Sequence, residues 1–271
     1  EFVRAARREI GKGVDQIKLM YSGGAGGGAE EGMYDTHITD EEAAAVCKVA
    51  HMRGKKVVAH LSNDNAIRSA LNAGVDSIEH AYSMNEETAK MMADKGAYFV
   101  PTMHVTGAAK YWPKQAPGSR YEAVQKRLLA AHEKHVEGLQ YAMKHGVKIC
   151  VGTDCLPAMS TDGAFSTMRE IMLLVEAGMT PLEAIKAGTA NSAELCEMDK
   201  VTGHLENGLF GDLTVFKGKP DVDINDLKNL SMVVKGGRVV WSEVPGFEKE
   251  RSFDALPQNG SPTDGLGNMF G

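Results

Sequence analysis

The sequence lacks the features that would place this protein in a membrane or on nucleic acid. No apolar stretch approaches the ~18 residues that a membrane span needs, and residues 1–8 are amphipathic, unlike the apolar core of a secretory signal. No segment rich in lysine and arginine offsets the formal net charge of −6, which argues against a polyanionic partner. We therefore expect neither membrane nor nucleic acid as a partner.

Motifs for disulfides and for phosphate binding are also missing. The four cysteines contain no Cys-x-x-Cys pair, which is typical of a reducing compartment, so we expect a cytoplasmic protein. The glycine-rich segment 22–28 lacks the Gly-Lys-Ser/Thr ending of a nucleotide-binding loop, and no Rossmann spacing follows it. Because it directly follows an apolar strand, it is predicted to be a flexible active-site loop.

What the sequence does contain is a regular alternation of short apolar segments and amphipathic helices. Strands are predicted at 14–20, 56–60, 75–80, 97–102 and 147–153. Helices start at capping signals and end at glycines between these strands. Such alternation predicts an α/β fold with a parallel sheet, of the (β/α)8 TIM-barrel type. Five strands are too few to close that barrel.

The pattern changes near residue 203. The segments 208–216 and 232–241 have the composition of β-strands, and Gly236-Gly237 is typical of a hairpin turn. We therefore predict a partial barrel domain over 1–202, a C-terminal β-sandwich segment over 203–243 and a mobile tail over 244–271.

Four side chains of the kind that bind metals lie on the predicted strands. His60, His80 and Asp154 each end an apolar strand, and Lys18 lies within the first one. In a parallel barrel the carboxyl ends of the strands meet at one mouth. Zinc and similar ions accept imidazole nitrogen and carboxylate oxygen. The pattern predicts a site for a divalent cation, although an isolated histidine at a strand end is usually only a hydrogen-bonding residue.

Lys18 and Asp154 have specific expected roles. An ammonium group does not bind metals, and its burial beside a dication is unfavourable. A neutral amine reacts with carbon dioxide to give a carbamate that can bridge two ions, so Lys18 would act as a long carboxylate. The alternative is a lysine that reaches solvent. Asp154 is expected to accept a proton from metal-bound water and to pass it to the leaving group. Its alternative role is the N-cap of a helix.

Other polar residues are assigned from their position in the pattern. Tyr21 and His104 lie just beyond strand ends and are predicted to contact substrate, with ordinary packing as the alternative for Tyr21. His132 and His135 share one face of a predicted long helix at 121–145. Because no third ligand is evident beside them, this face is predicted to be solvated.

Several motifs together resemble the amidohydrolase superfamily. The segments 15–24, 70–80 and 151–154 resemble its binuclear group of prolidases and imidazolonepropionase-like proteins, and 203–213 and 234–239 resemble its returning β-sandwich. The resemblance implies that the chain carries strands four to eight of the barrel. It also implies two divalent ions, with zinc expected.

The same resemblance assigns the individual residues. Lys18 would be the carbamylated bridging lysine of strand four, His60 and His80 the ligands of strands five and six, and Asp154 the ligand and proton shuttle of strand eight. The His-x-His pair of the family's first strand is absent from this sequence. We therefore expect association with a complementing N-terminal segment or with copies of the same chain in a homo-oligomer.

The resemblance implies a metal-dependent hydrolase. Metal-bound hydroxide would attack the amide bond of a dipeptide of the Xaa-Pro type or of an N-acyl amino acid. Two alternatives remain open. One is a catalytically impaired, truncated barrel that serves as a subunit or as a fragment needing complementation. The other is a lactonase or phosphotriesterase that uses the same metal chemistry.

Overall fold

The computed structural model describes residues 1–24, 32–33, 35–111, 114, 116–155 and 165–247. The chain forms two compact units, Glu1–Met179 and Thr180–Gly271, and this division falls before the boundary predicted after residue 202. The glycine-rich loop beyond Gly24 and all but 244–247 of the predicted tail lie outside the described residues. In the part of the chain that the structure describes, no helix combines the length and apolar character needed to cross a membrane.

The first unit alternates strands and helices along the chain. Its strands are β1 (Gln16–Met20), β2 (Lys56–Leu61), β3 (Ser77–His80) and β4 (Tyr98–Val100). Its helices are α1 (Phe2–Gly11), α2 (Asp40–His51), α3 (Asp64–Ala73), α4 (Glu86–Lys95), α5 (Met103–Gly107), α6 (Arg120–Lys144) and α7 (Ser166–Glu176), with a 3-10 turn at Ala108–Tyr111. Helix α5 lies in a segment for which the sequence predicted no helix.

The strands form a parallel sheet in the order β1-β2-β3-β4. This arrangement confirms the predicted α/β class and parallel topology, and it makes β1 an edge strand of the described sheet. Such sequential parallel pairing follows from right-handed crossovers through the helices. The carboxyl ends of all four strands consequently lie along one side of the sheet, which we call its carboxyl edge.

The predicted fifth strand is wrong as a regular element. Within the described residues, segment 147–153 makes one parallel bridge, between Ile149 and Phe99 of β4. Its hydrogen bonds there run from Phe99 N to Lys148 O (2.9 Å) and from Cys150 N to Phe99 O (2.8 Å). Beyond them the backbone of Gly152 approaches β4 so closely that a Cβ would lie 2.6 Å from Val100 Cγ1. The segment is therefore joined to β4 by a bridge rather than as a regular strand.

Helices α2, α3 and α4 start at side-chain caps. Thr39 and Glu42 form a capping box at α2, with Glu42 N donating to Thr39 Oγ1 (3.3 Å) and Thr39 N to Glu42 Oε2 (3.0 Å). Asn63 and Asn85 cap α3 and α4. These contacts satisfy backbone N–H groups that have no partner inside the helix. They fix the length of each strand-to-helix connection.

The two faces of the sheet differ in exposure at its β1 edge. Ile17 and Leu19 are buried, whereas Gln16, Lys18 and Met20 alternate with them and are exposed. Met20 retains 56% of its accessible surface. Strand β2 is buried almost throughout. The exposed face of β1 is therefore the least covered part of the described sheet.

A buried carboxyl group ties α7 to the end of β4. Glu170 is completely buried and accepts hydrogen bonds from the backbone N–H groups of Met103 (2.8 Å) and His104 (2.5 Å) at the start of α5. Burial raises the pKa of Glu170 to about 8, although both backbone donors oppose this shift. The contact fixes the segment that directly follows β4.

The second unit contains short helices and an antiparallel sheet. Its elements are α8 (Pro181–Lys186), a π-helical turn (Ala187–Asn191), α9 (Ser192–Leu195), β5 (Leu213–Phe216), a 3-10 segment (Ile224–Asn229), β6 (Leu230–Lys235) and β7 (Arg238–Ser242). The strand order is β5-β6-β7, and the predicted turn at Gly236-Gly237 joins β6 to β7. Thr180 and Glu183 form a capping box that starts α8.

Substitution of Glu170 tests the tie between α7 and β4. We expect Glu170→Gln to lower the free energy of unfolding by about 1–3 kcal/mol, because the amide NH2 cannot accept from a buried backbone N–H group. Chemical denaturation measures the change. Glu176→Gln on the same helix is the control, since Glu176 forms an exposed ion pair with Lys110 and surface pairs contribute about 0–1 kcal/mol. Equal stabilities of the two variants would contradict this role of Glu170.

Candidate active site at the carboxyl ends of the strands

The backbone turns sharply where the strands end. Of the five non-glycine residues with positive φ in the described chain, four lie at this edge: His80 (70°), Ala81 (52°), Thr102 (53°) and Asp154 (49°). Residues other than glycine rarely adopt a positive φ, and such backbone strain is concentrated at functional sites. The turn after β3 accompanies a close approach of two rings, because the centroids of His60 and His80 lie 4.3 Å apart.

His60 is held by the chain that follows β1. Its Nε2 lies 3.3 Å from the carbonyl oxygen of Gly23. A carbonyl oxygen only accepts, so Nε2 is the protonated nitrogen and Nδ1 keeps its lone pair. Gly24 lies against the ring, where a Cβ would be 3.2 Å from Cε1. The same Gly23 oxygen accepts from Ser62 Oγ (2.6 Å), which fixes the position of this backbone.

His80 is buried at the centre of the site. Its side chain Nδ1 lies 2.7 Å from Thr102 Oγ1, and its ring stacks on Tyr82 with a centroid distance of 5.4 Å. Burial lowers the pKa of His80 well below its usual value, and the neighbouring His60 and Lys18 lower it further. Burial also lowers the pKa of His60. Both imidazoles are therefore neutral near pH 7 and retain a lone pair.

Lys18 forms an ion pair that the sequence did not predict. Its Nζ lies 2.5 Å from Glu79 Oε2, and the two side chains are 46% and 19% exposed. Glu79 is aligned with His60 in the parallel register of β2 and β3, so the two side chains share the face that carries Lys18. The sequence alone did not predict which of the adjacent residues Glu79 and His80 lies on the same face as Lys18, since neighbouring strand residues point to opposite faces.

Asp154 lies at the same edge of the sheet. The residue is exposed overall, but partial desolvation of its carboxyl group raises its pKa. The charges of Lys18 and His60 lower this pKa and that of Glu79 raises it, so these groups share one electrostatic environment. The structure thus brings the four predicted ligands to one edge, together with Glu79.

The imidazole pair has the chemistry of a metal site. A histidine ligand usually donates its other ring N–H to a protein acceptor. His60 has such an acceptor in Gly23 O, and Thr102 Oγ1 lies within hydrogen-bond distance of His80 Nδ1. Among the described residues, however, no group of three or more His, Cys, Asp or Glu side chains is arranged to hold a metal ion. The residues present fit the histidine ligands of a divalent cation, and they do not enclose that cation by themselves.

Tyr21 and His104, the two residues predicted to contact substrate, are both buried. Tyr21 is completely buried, and its hydroxyl lies 2.5 Å from Ser69 Oγ on α3. His104 is 5% exposed, and its backbone N–H is bound by Glu170. These contacts favour packing roles for both residues, because neither side chain reaches an open surface.

The predicted solvated face of the long helix is wrong for His135. This side chain is completely buried, and its Nδ1 lies 2.9 Å from Thr106 Oγ1 of α5. The same hydroxyl lies 3.0 Å from His132 Nδ1, and the ring of His135 meets Tyr82 edge-on at 5.1 Å. Helix α5, which the sequence did not predict, covers this face of α6.

Comparison with known proteins gives consistent matches along most of the chain. A family model described as the amidohydrolase family matches residues 3–240. Ochratoxinase from Aspergillus niger is 32% identical over 244 residues, which cover 88% of this chain and 49% of the ochratoxinase. Imidazolonepropionase from Geobacillus thermodenitrificans (strain NG80-2) is 28% identical over 177 residues, or 64% of this chain and 36% of that protein. The chain thus spans about half the length of the ochratoxinase and less of the imidazolonepropionase.

A solved structure supports the same relationship. A prolidase in complex with N-methylphosphonate-L-proline superposes with a TM-score of 0.79 and 29% sequence identity. The match covers 89% of this chain and 58% of the prolidase chain.

The buried histidine of α6 predicts how stability depends on pH. Burial lowers the pKa of His135 from 6.5 to about 3, so the unfolded chain binds one more proton than the folded chain between these values. Its contribution to stability is complete above pH 6.5 and is lost as pH falls, by at most about 1.4 kcal/mol per pH unit. In urea denaturation over this acidic range, His135→Gln should show a shallower pH dependence than the wild type. Equal slopes would contradict a neutral, buried His135.

Proposed function

The chain belongs to the amidohydrolase family, and on that basis we propose that it supplies the catalytic half of a metal-dependent amide hydrolase. The observation that carries the proposal is the pair His60 and His80, in ring contact and each with one lone pair available. Asp154 lies in the same electrostatic environment. The pair and this carboxylate match what hydrolysis at a divalent cation requires.

We infer the role of each residue toward the cation. Members of this superfamily generally use divalent metals, and zinc is the ion we propose. When bound, the metal lowers the pKa of a water molecule toward neutrality and polarises the substrate carbonyl. His60 would bind through Nδ1 and His80 through Nε2, because the other nitrogen of each ring is already a donor.

Asp154 would move the proton. A partly desolvated carboxylate with a raised pKa is a better base than an exposed one. It would take the proton from the attacking water and give it to the leaving nitrogen.

Lys18 would act as a carbamylated ligand after it leaves Glu79. The nitrogen of its neutral amine would form a bond to the carbon of carbon dioxide and release one proton, which leaves a carboxylate-like group on the side chain. The Lys18–Glu79 ion pair is only partly covered from solvent. Its separation therefore needs no rearrangement of the core.

The exposed face of β1 supports a complementing partner. Parallel sheets are normally buried on both faces, but the side chain of Lys18 is 46% exposed and Met20 is 56% exposed. We propose that the strands of a complementing N-terminal segment, or of another copy of the chain, cover this face. A closed (β/α)8 barrel would place the site in an enclosed mouth.

The relatives support a proposal for the substrate class. Known relatives include an ochratoxinase and a prolidase, and we propose small amides of the same kind, either Xaa-Pro dipeptides or N-acyl amino acids. A hydrolysis screen of the full protein over both classes and over lactones tests this choice. Turnover of lactones alone would contradict the amide assignment.

Substitution of Asp154 tests the proton transfer. We expect Asp154→Asn to lower kcat by roughly 10²- to 10⁴-fold, because the amide cannot accept the proton. Steady-state hydrolysis of the best amide from the screen measures this change. Asp94→Asn is the control, since Asp94 forms only an exposed pair with Lys90. An Asp154→Asn protein with wild-type turnover would remove Asp154 from the mechanism.

Metal content tests the cation site separately from turnover. We expect about two equivalents of zinc in the full protein, as in two-metal hydrolases, and a lower content in Lys18→Ala because the bridging group is lost. Elemental analysis measures both proteins, with Lys90→Ala as the control for loss of a surface lysine. A wild-type protein that binds at most one equivalent and hydrolyses no amide would favour the impaired-subunit alternative.

A further inference from the structure

The hydrogen bond between His80 and Thr102 has only one possible direction. A ring nitrogen can donate or accept, depending on the tautomer. A threonine hydroxyl carries one hydrogen, and Thr102 Oγ1 lies 2.6 Å from the carbonyl oxygen of Pro101, which can only accept. The hydroxyl hydrogen is therefore committed to Pro101, and the oxygen accepts from His80 Nδ1–H at 2.7 Å.

We propose that Thr102 is a positioning residue that holds His80 in the Nδ1-protonated tautomer and so presents the Nε2 lone pair to the site. The meaning of this lone pair rests on the proposed metal-dependent function. The tautomer itself is a property of the chain, and it can be measured without metal or substrate.

Neighbouring side chains hold the His80 ring in place. The ring lies between Tyr82, which stacks on it at 5.4 Å, and His60, whose centroid is 4.3 Å away. His80 is 2% exposed, so water does not compete freely for its nitrogens. Within these contacts the proton can lie on either ring nitrogen, and the Thr102 oxygen stabilises the tautomer that is protonated at Nδ1.

The backbone at Thr102 is adapted to this contact. Thr102 has a φ of 53°, which is strained for a β-branched side chain. Glu170 binds the N–H groups of the next two residues, Met103 and His104, and so holds the chain directly after the strained position. Thr102 itself is 3% exposed. The contacts of Glu170 thus hold the chain just after the strained backbone of Thr102, whose hydroxyl oxygen lies 2.7 Å from His80 Nδ1.

Two substitutions separate the hydroxyl from the shape of the side chain. Thr102→Val keeps the volume and removes the acceptor, so a buried Nδ1–H would have no partner. We expect the proton to move to Nε2 in at least part of the molecules. Thr102→Ser keeps the hydroxyl and should retain the wild-type tautomer. A side chain that serves only packing would give the opposite order, because valine fills the site better than serine.

The test is a ¹⁵N NMR measurement on the full, metal-free protein labelled at histidine. The sequence contains nine histidines, so the spectrum of His80→Gln identifies the His80 signals. At mildly alkaline pH the protonated and unprotonated ring nitrogens have well-separated shifts. We expect Nδ1 protonated in the wild type and in Thr102→Ser, and a mixed or reversed pattern in Thr102→Val. A wild-type His80 protonated at Nε2 overturns the proposal, and so does an unchanged tautomer in Thr102→Val.

Calorimetric titration with Zn²⁺ alone gives a second result. Loss of the partner of a metal-binding histidine typically weakens affinity about 10- to 100-fold, which we expect for Thr102→Val and not for Thr102→Ser. If Thr102→Val does not fold, the wild-type spectrum still decides. A wild type that shows the expected tautomer but binds no zinc would overturn the metal-dependent function and would support the assignment of Thr102.

Discussion

The site depends on sharp left-handed turns at the carboxyl ends of parallel strands. Pleating alone would place Glu79 and His80 on opposite faces of β3, yet the His80 ring lies 4.3 Å from the His60 ring of the neighbouring strand. The positive φ angles at His80 and Ala81 accompany this departure from the regular strand. Thr102 turns in the same way after β4 and supplies the oxygen that His80 meets.

Desolvation then determines the chemistry of these side chains. Burial keeps His60 and His80 neutral, which is the form in which imidazole binds metals or moves protons. The carboxyl of Asp154 is only partly desolvated, so its pKa rises, while the ammonium group of Lys18 lowers that pKa. Lys18 is the exception in this environment, since it is paired with Glu79 and partly open to solvent. The proposed carbamylation requires this pair to separate.

The exposed face of strand β1 bears on how the site is covered. The described sheet has β1 at its edge with one face exposed, while the opposite face packs against helices. The chain spans about half the length of the ochratoxinase it resembles. The exposed β1 face and the absence, among the described residues, of a group of three metal-binding side chains are the observations behind the proposal that further residues complete the site. The two histidines and their hydrogen-bond partners are the part that this chain positions by itself.

Local sequence alone determined the helix caps, the parallel order of β1 to β4, and the four polar residues that the structure brings to one edge of the sheet. These features depend on spacing within a few residues, which a single sequence records. Only the tertiary structure decided that Lys18 pairs with Glu79, that Thr102 meets His80 and that His135 is buried. Each of these contacts joins residues far apart in the chain, and their directions are set by backbone turns and by helix α5, for which the sequence has no periodic signal.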